Sequence, residues 1–493
     1  MKNKMSLFFI IFFLSINIVL SEIYPLRKVS TNLKTLHRKR RTSGTEDSFL
    51  ENVYGDSYNL YYYYATLYLG KKKIPQTYIL DTGSPTTTSP CNKCRSCGKH
   101  LNFPYELDND SDIIKCYTDQ CNLVPSSVCR DHKCGFSISY SEGSQLEGFF
   151  TMQEIHLEMI DKTPNITTNS FKVPIGCTTK ETHLFTTQLA DGIMGLNNGG
   201  KSFVTLLFNQ KIISKNLFTI CFGQNDGYFS IGEIDTSFHK SKIEYVPLFP
   251  GENNFYVQLN QIKIGEELIP INNYRGFIDS GTTISYIPIE IYNSIINKFN
   301  SICRNIPNKK CGNFKNVPGL GYCGFFDRKE DKQKALEEYW PNITLYFEGH
   351  NYTLRGIDYS YDYDEKEKEI GACLGFEGER TSKITIGGTF MHNHDIIFDK
   401  DNQRIGFAAA DCNRGNFKGN NNNRNVNSSK NNDNNNDVFL KEKSDKKRKS
   451  FNNFVLYLII SFLIVILLII IFIYVKKRCI NRQRYYPQID TRS

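Results

Sequence analysis

Two short segments carry residue types suited to hydrolytic chemistry. Tyr78–Ser84 reads YILDTGS and Gly276–Thr282 reads GFIDSGT, so the order of apolar pair, Asp, hydroxyl, Gly, hydroxyl occurs twice. Asp81 and Asp279 are 198 positions apart. Gly lets the backbone turn sharply and approach a neighbour closely. Thr82, Ser84, Ser280 and Thr282 supply hydroxyls that can donate to a carboxylate or to an opposite loop. If Asp81 and Asp279 meet, two like charges cannot both ionise readily, so one pKa rises and the other falls. The ionised member can activate water while the protonated member donates to a carbonyl oxygen. That is direct hydrolysis of an amide, and it needs neither metal nor cofactor. Asp-x-Gly alone occurs in ordinary turns; the duplication sets these two segments apart.

The elements that must position the pair read as strands. Tyr61–Leu69, Gly135–Tyr140, Phe255–Ile264, Ile343–Phe347, Ile384–Ile386 and Ile396–Phe398 are rich in β-branched and aromatic residues, the mark of a mostly-β chain. Helices are expected at Pro288–Phe299, Lys329–Tyr339 and Ser202–Asn209. The duplication continues downstream: ADGIMGL (190–196) and TIGGTFM (385–391) each place an apolar pair and a Gly at a comparable distance after their Asp. Two halves with the same order of parts predict two lobes related by a pseudo-dyad.

Net charge is +9 over 493 residues, which on its face invites nucleic acid. Its distribution removes the invitation. Residues 1–41 carry +8 and residues 413–493 carry +11, leaving −10 on residues 42–412. The folded part lacks a basic surface to neutralise phosphates, so no nucleic-acid partner is expected.

The ends address a membrane. Residues 1–21 read as a signal peptide, with Lys2 and Lys4 ahead of an apolar run and Ser21 near a cut. Residues 22–54 are an extension or short pro-segment that includes the basic run Arg38–Arg41. Residues 413–453, rich in Asn and then Lys, read as a tether. Residues 454–475 lack formal charge and at about 1.5 Å per residue span about 33 Å, enough for one transmembrane helix. Residues 476–493 form a cytosolic tail. Of fifteen Cys, Cys479 lies beyond the span and fourteen lie between Cys91 and Cys412. Cys91, Cys94 and Cys97 have a spacing also used for metal or iron–sulfur ligation. In a secretory chain, with Cys116, Cys121, Cys129, Cys134, Cys177, Cys221, Cys303, Cys311, Cys323, Cys373 and Cys412 following, disulfides are expected and no metal site. Spacing leaves the pairing open.

Over roughly 55–412 the chain resembles the pepsin-like aspartic proteases, through both Asp motifs, ADGIMGL and the stretch TIGGTFMHNHDIIFDKDNQRIGFA (385–408). The resemblance implies an all-β, bilobal fold with lobes at 55–235 and 236–412, Asp81 and Asp279 as the catalytic dyad, and protein or peptide substrates. It implies that Thr82 and Ser280 cross-brace the two loops, with Gly83 and Gly281 at their turns. Ser84 and Thr282 would bond the Asp carboxylates. ISYSEGSQLEGF (138–149) would be the mobile flap, with Tyr140 as its tyrosine and Gly143 at its turn. Cys221 and Cys412 occupy positions the family commonly pairs.

The Cys-rich insert, the Asn-rich tether, the C-terminal span and Glu142 resemble a membrane-anchored branch of that family. That branch resides in the endoplasmic reticulum and cuts exported proteins after the Leu of an Arg-x-Leu motif. By this resemblance the chain is a single-pass type I protein of that membrane with its lobes in the lumen, monomeric or part of a membrane complex. Glu142 has a direct reason to select Arg, since a carboxylate accepts the planar guanidinium bidentately; Gln188 is a second contact. Two departures stand out. The family's Trp that bonds the flap tyrosine is missing from Pro85–Pro90, and the single Trp is Trp340. Ser141 stands where relatives often carry an unpaired Cys. The alternatives are an inactive binding protein on the same fold and a β-rich surface adhesin or receptor.

Overall fold

The computed structural model describes residues 49–56, 62–107, 112–125, 128–157, 170–223, 226–364 and 370–412. The expected signal peptide, tether, membrane span, tail and Cys479 lie outside the described residues. Among the described residues no helix is long and apolar enough to cross a membrane.

The duplicated sequence is a duplicated structure. Ile74–Asp81 runs antiparallel to Tyr62–Leu69 and parallel to Gly192–Gly195, pairing Asp81 with Gly195. Glu267–Ile278 runs antiparallel to Tyr256–Ile264 and parallel to Ile384–Ile386, pairing Ile278 with Ile386. Each Asp thus ends a strand wedged between a hairpin partner and the strand of the downstream repeat. That placement fixes the Asp backbone from both sides, and it accounts for the apolar pair ahead of each Asp. Leu80 and Ile278 are both buried.

Among the described residues the sheets hold fourteen, seven and four strands. The largest joins the two halves: Leu217–Phe222 pairs with His394–Asp399, placing Leu217 opposite Asp399. Phe49–Asp56 pairs with Asp226–Ile231 and Tyr62–Leu69, so the sheet begins inside the stretch read from sequence as an extension. The expected strands are present with small shifts. Phe255–Ile264 appears as Tyr256–Ile264 with a bulge between Leu259 and Gln261, and Gly135–Tyr140 as Lys133–Ser139.

The expected helices are present too. Ile289–Arg304 buries Ile291, Ile295, Phe299 and Cys303, a four-residue spacing that lines one face. It runs beyond the expected end at Phe299. Phe203–Asn209 is helical. Lys329–Lys334 continues into a widened turn, Ala335–Tyr339, that buries Ala335 and Leu336. Trp340 follows, 3% exposed, edge-on to Phe299 and donating from Nε1 to the Cys311 carbonyl. It is a core residue of this half.

All fourteen described Cys are in disulfides: Cys91–Cys177, Cys94–Cys97, Cys116–Cys129, Cys121–Cys134, Cys221–Cys412, Cys303–Cys311 and Cys323–Cys373. The Cys91, Cys94 and Cys97 sulfurs are spent on cross-links. Cys221–Cys412 closes 191 residues of chain, worth about 5 kcal/mol in lost unfolded-state entropy on the loop-closure model.

Candidate active site

The two Asp loops interlock. The Thr82 N–H donates to Ser280 Oγ at 3.1 Å, and the Ser280 N–H donates to Thr82 Oγ1 at 2.9 Å. Each hydroxyl then donates across to a carbonyl of the other strand, Thr82 to Ile278 at 3.1 Å and Ser280 to Leu80 at 2.7 Å. Both residues are buried, so these bonds exclude competing water.

Each carboxyl is held by its own turn. Asp81 accepts from the Gly83 N–H at 2.8 Å and from the Ser84 hydroxyl at 2.5 Å. Asp279 accepts from the Gly281 N–H at 3.1 Å and from the Thr282 hydroxyl at 2.6 Å. The turns also lie against the opposite carboxyl. A Cβ on Gly83 would sit 2.7 Å from Asp279 Oδ1, and one on Gly281 would sit 2.5 Å from Asp81 Oδ1. Any side chain at either position would push the carboxyls apart, which is why both positions are glycine.

The hairpin Lys133–Ser139 and Gln145–Leu157 turns through Tyr140–Ser144. The Tyr140 N–H donates to the Ser144 carbonyl, and Gly143 takes φ +92°, a left-handed conformation that glycine adopts without cost. The Tyr140 hydroxyl is buried beside Ser84 without a hydrogen bond of good geometry. Its ring meets Phe185 edge-on at 5.0 Å. Phe185 thus packs against Tyr140, the expected flap tyrosine.

The eukaryotic aspartyl protease family model matches residues 62–410. The chain belongs to that family. Plasmepsin V of Plasmodium falciparum (isolate 3D7) is 25% identical over 445 residues, covering 75% of this chain and 74% of the relative. Aspartic proteinase 36 of Arabidopsis thaliana is 26% identical over 378 residues, covering 70% and 74%. Among solved structures, soybean Basic 7S globulin overlays with a TM-score of 0.56 at 15% identity, covering 74% of this chain and 96% of that one; this likeness concerns the fold.

The site's electrostatics separate its two carboxyls. Burial first, and then the charge of Asp279, push the Asp81 pKa up to about 7. Burial raises Asp279 as well, but the Thr282 hydroxyl, the Gly281 N–H and the charge of Lys383 pull it back. Asp279 is also the more open of the two. Both carboxyls are raised by burial, Asp81 the more strongly because the Asp279 charge adds to it, and the pair holds its shared proton as one unit.

The remaining expected residues fall as follows. Glu142 is exposed at the hairpin tip. Its charge raises the pKa of Tyr140 and of Tyr286, which follows the second Asp motif, though burial is the larger cause for both. Gln188 is half-buried; its Nε2 donates to the Ala190 carbonyl at 3.3 Å and its own carbonyl meets His100 Nδ1 at 3.1 Å.

Sequence reasoning missed several supports. Asp191 accepts from the Thr77 and Asn102 N–H groups, anchoring the Cys-rich insert to the strand that carries Asp81. The Asn197 N–H donates to the Ser84 carbonyl, and its own carbonyl accepts from Lys400 Nζ at 2.9 Å. Lys400 thereby ties the C-terminal hairpin to the Asp81 loop, bonding Gly199, Ser202 and Thr205 as well. The Asp of ADGIMGL was a usable signal for the first support. Lys400 lies within the stretch 385–408 but carries no periodic or spacing signal.

Proposed function

We propose that the chain is an aspartic endopeptidase that hydrolyses peptide bonds with Asp81 and Asp279. The supporting observation is the interlocked pair: two carboxyls with unequal proton affinity, each fixed by a turn N–H and a hydroxyl. Asp279, ionised, takes a proton from a water held between the carboxyls. The oxygen of that water attacks the scissile carbonyl carbon as Asp81 gives its proton to the carbonyl oxygen. Asp279 then gives the proton it took to the amide nitrogen, the C–N bond breaks as a hydroxyl of the tetrahedral intermediate returns a proton to Asp81, and a carboxylic acid and an amine leave. Developing charge meets preorganised donors throughout.

Substrates carry a basic-x-apolar motif, cut after the Leu of Arg-x-Leu. Support comes from Glu142 at the flap tip and from Glu377 and Glu379, whose charges also act on Tyr286. A guanidinium entering this acidic part of the cleft gains a paired carboxylate in partly desolvated surroundings. Gln188 would have to leave the Ala190 carbonyl to serve as a second contact. The sequence features at both ends support a single-pass type I membrane protein with its lobes 55–235 and 236–412 in the lumen, and the resemblance to the membrane-anchored branch supports the endoplasmic reticulum. Matched peptides with Arg, Lys or Ala at the basic position test the specificity. Glu142→Ala is expected to lower kcat/KM on the Arg peptide by about 10-fold, the loss of one charge-assisted hydrogen-bonded pair, and to leave the Ala peptide nearly unchanged. Equal losses on all three peptides remove Glu142 from the reading.

A further inference from the structure

One surface of the Cys-rich insert joins exposed apolar side chains to positive charge. Phe103 stands 87% exposed, with Leu101 at 52% and Ile74 at 37%. Pro75 and Pro104 are exposed beside them. Two contacts make this one patch: Gln76 Nε2 donates to the Phe103 carbonyl at 2.9 Å and to the Pro75 carbonyl at 2.8 Å, and Lys72 meets Glu106 at 3.6 Å. The turn Lys71-Lys72-Lys73 borders the apolar side chains, and Lys93, Arg95 and Lys99 lie in the same insert. Segments 70–75 and 92–107 together hold six basic residues and one acidic residue, within a middle region whose net charge is −10.

An aromatic knob on a rigid loop, with a lysine turn beside it, has the chemistry of an interfacial membrane contact. Apolar side chains enter the boundary between headgroups and acyl chains while ammonium groups meet anionic headgroups. The loop's rigidity comes from Cys91–Cys177, Cys94–Cys97 and the Asn102–Asp191 bonds. The sequence also supplies the bilayer. The apolar run 454–475 is separated from residue 412 by 41 residues, a length that reaches at most about 140 Å when fully extended. A weak surface contact is then effectively intramolecular and needs little intrinsic affinity.

We infer that the face formed by Ile74, Leu101, Phe103 and the Lys71–Lys73 turn docks onto an anionic lipid surface, a role separate from peptide cleavage. The single natural Trp makes the test clean, because Trp340 is buried in the other half. Phe103→Trp is placed in the full-length chain and mixed with phosphatidylcholine–phosphatidylserine vesicles carrying brominated acyl chains. The introduced indole is expected to shift to the blue and lose most of its emission. The unsubstituted chain, reporting Trp340 alone, stays unchanged. Adding Lys71→Glu, Lys72→Glu and Lys73→Glu together is expected to abolish the quenching, as are vesicles of phosphatidylcholine alone. An indole whose emission ignores brominated lipid, or is shielded only by a protein partner, overturns the inference.

Discussion

Thr82 and Ser280 each bond both the backbone and the hydroxyl of the other's loop, across 198 positions of sequence. The four bonds in this cluster are buried and reciprocal. They make the distance between the two Asp residues a property of backbone geometry rather than of flexible side chains. Catalysis by a shared proton demands that, since a displacement of about 1 Å can cost about 10²-fold in rate.

Thr82→Val keeps the shape and removes the hydroxyl. It leaves the Ser280 N–H and the Ile278 carbonyl buried without partners. Leaving such groups unpaired costs about 1–3 kcal/mol each, so denaturant unfolding is expected to show a loss of about 2–4 kcal/mol. A loss below about 0.5 kcal/mol contradicts a structural cross-brace.

Gly281→Ala puts a methyl 2.5 Å from Asp81 Oδ1. The carboxyl must move, and kcat is expected to fall on the order of 10²-fold with KM little changed. Steady-state kinetics on a peptide substrate, checked against a native circular dichroism spectrum, reads this directly. Unchanged kcat means that the close approach has no catalytic meaning.

The raised proton affinity of Asp81 has two signatures. Activity requires one proton on the pair, so kcat/KM is expected to fall as pH rises through about 7. Stability carries the same sign. The folded state binds the Asp81 proton up to about 7, whereas the ordinary value is 3.8. Between those values the folded state holds more protons than the unfolded state, so this group's contribution is present below about 4 and lost as pH rises to about 7. Asp81→Asn removes the titration. The variant is therefore expected to match the pH-dependence of wild type below about pH 4 and to gain on it as pH rises to about 7. Parallel Tm profiles for the two proteins contradict the assignment.

The sequence carried the parts of the fold that depend on local pattern. Ile343–Phe347 matches the structure end for end because burial on one face writes a period of two, and Ile384–Ile386, buried at all three positions, was legible from its run of β-branched residues. The Asp pair was legible because it is written twice. What escaped depends on distant partners. Phe49–Asp56 is a strand because Asp226–Ile231 offers it an edge, and nothing local announces that. Disulfide pairing follows three-dimensional neighbourhood, so Cys91–Cys177 is invisible in spacing. The missing Trp could be read, but not the ring that packs against Tyr140: Phe185 reaches it from a short helical turn, His183–Thr186, with no periodic signal. The exposure of Phe103 likewise shows only once the insert is folded.

The most direct test of the central claim is a cleavage profile on a peptide library, run with wild type and with Asp279→Asn under identical conditions. Wild type is expected to cut after Leu in Arg-x-Leu peptides, and Asp279→Asn to lose at least about 10³-fold of that rate while keeping a native unfolding transition. Cleavage at an undiminished rate by the Asn variant contradicts the account.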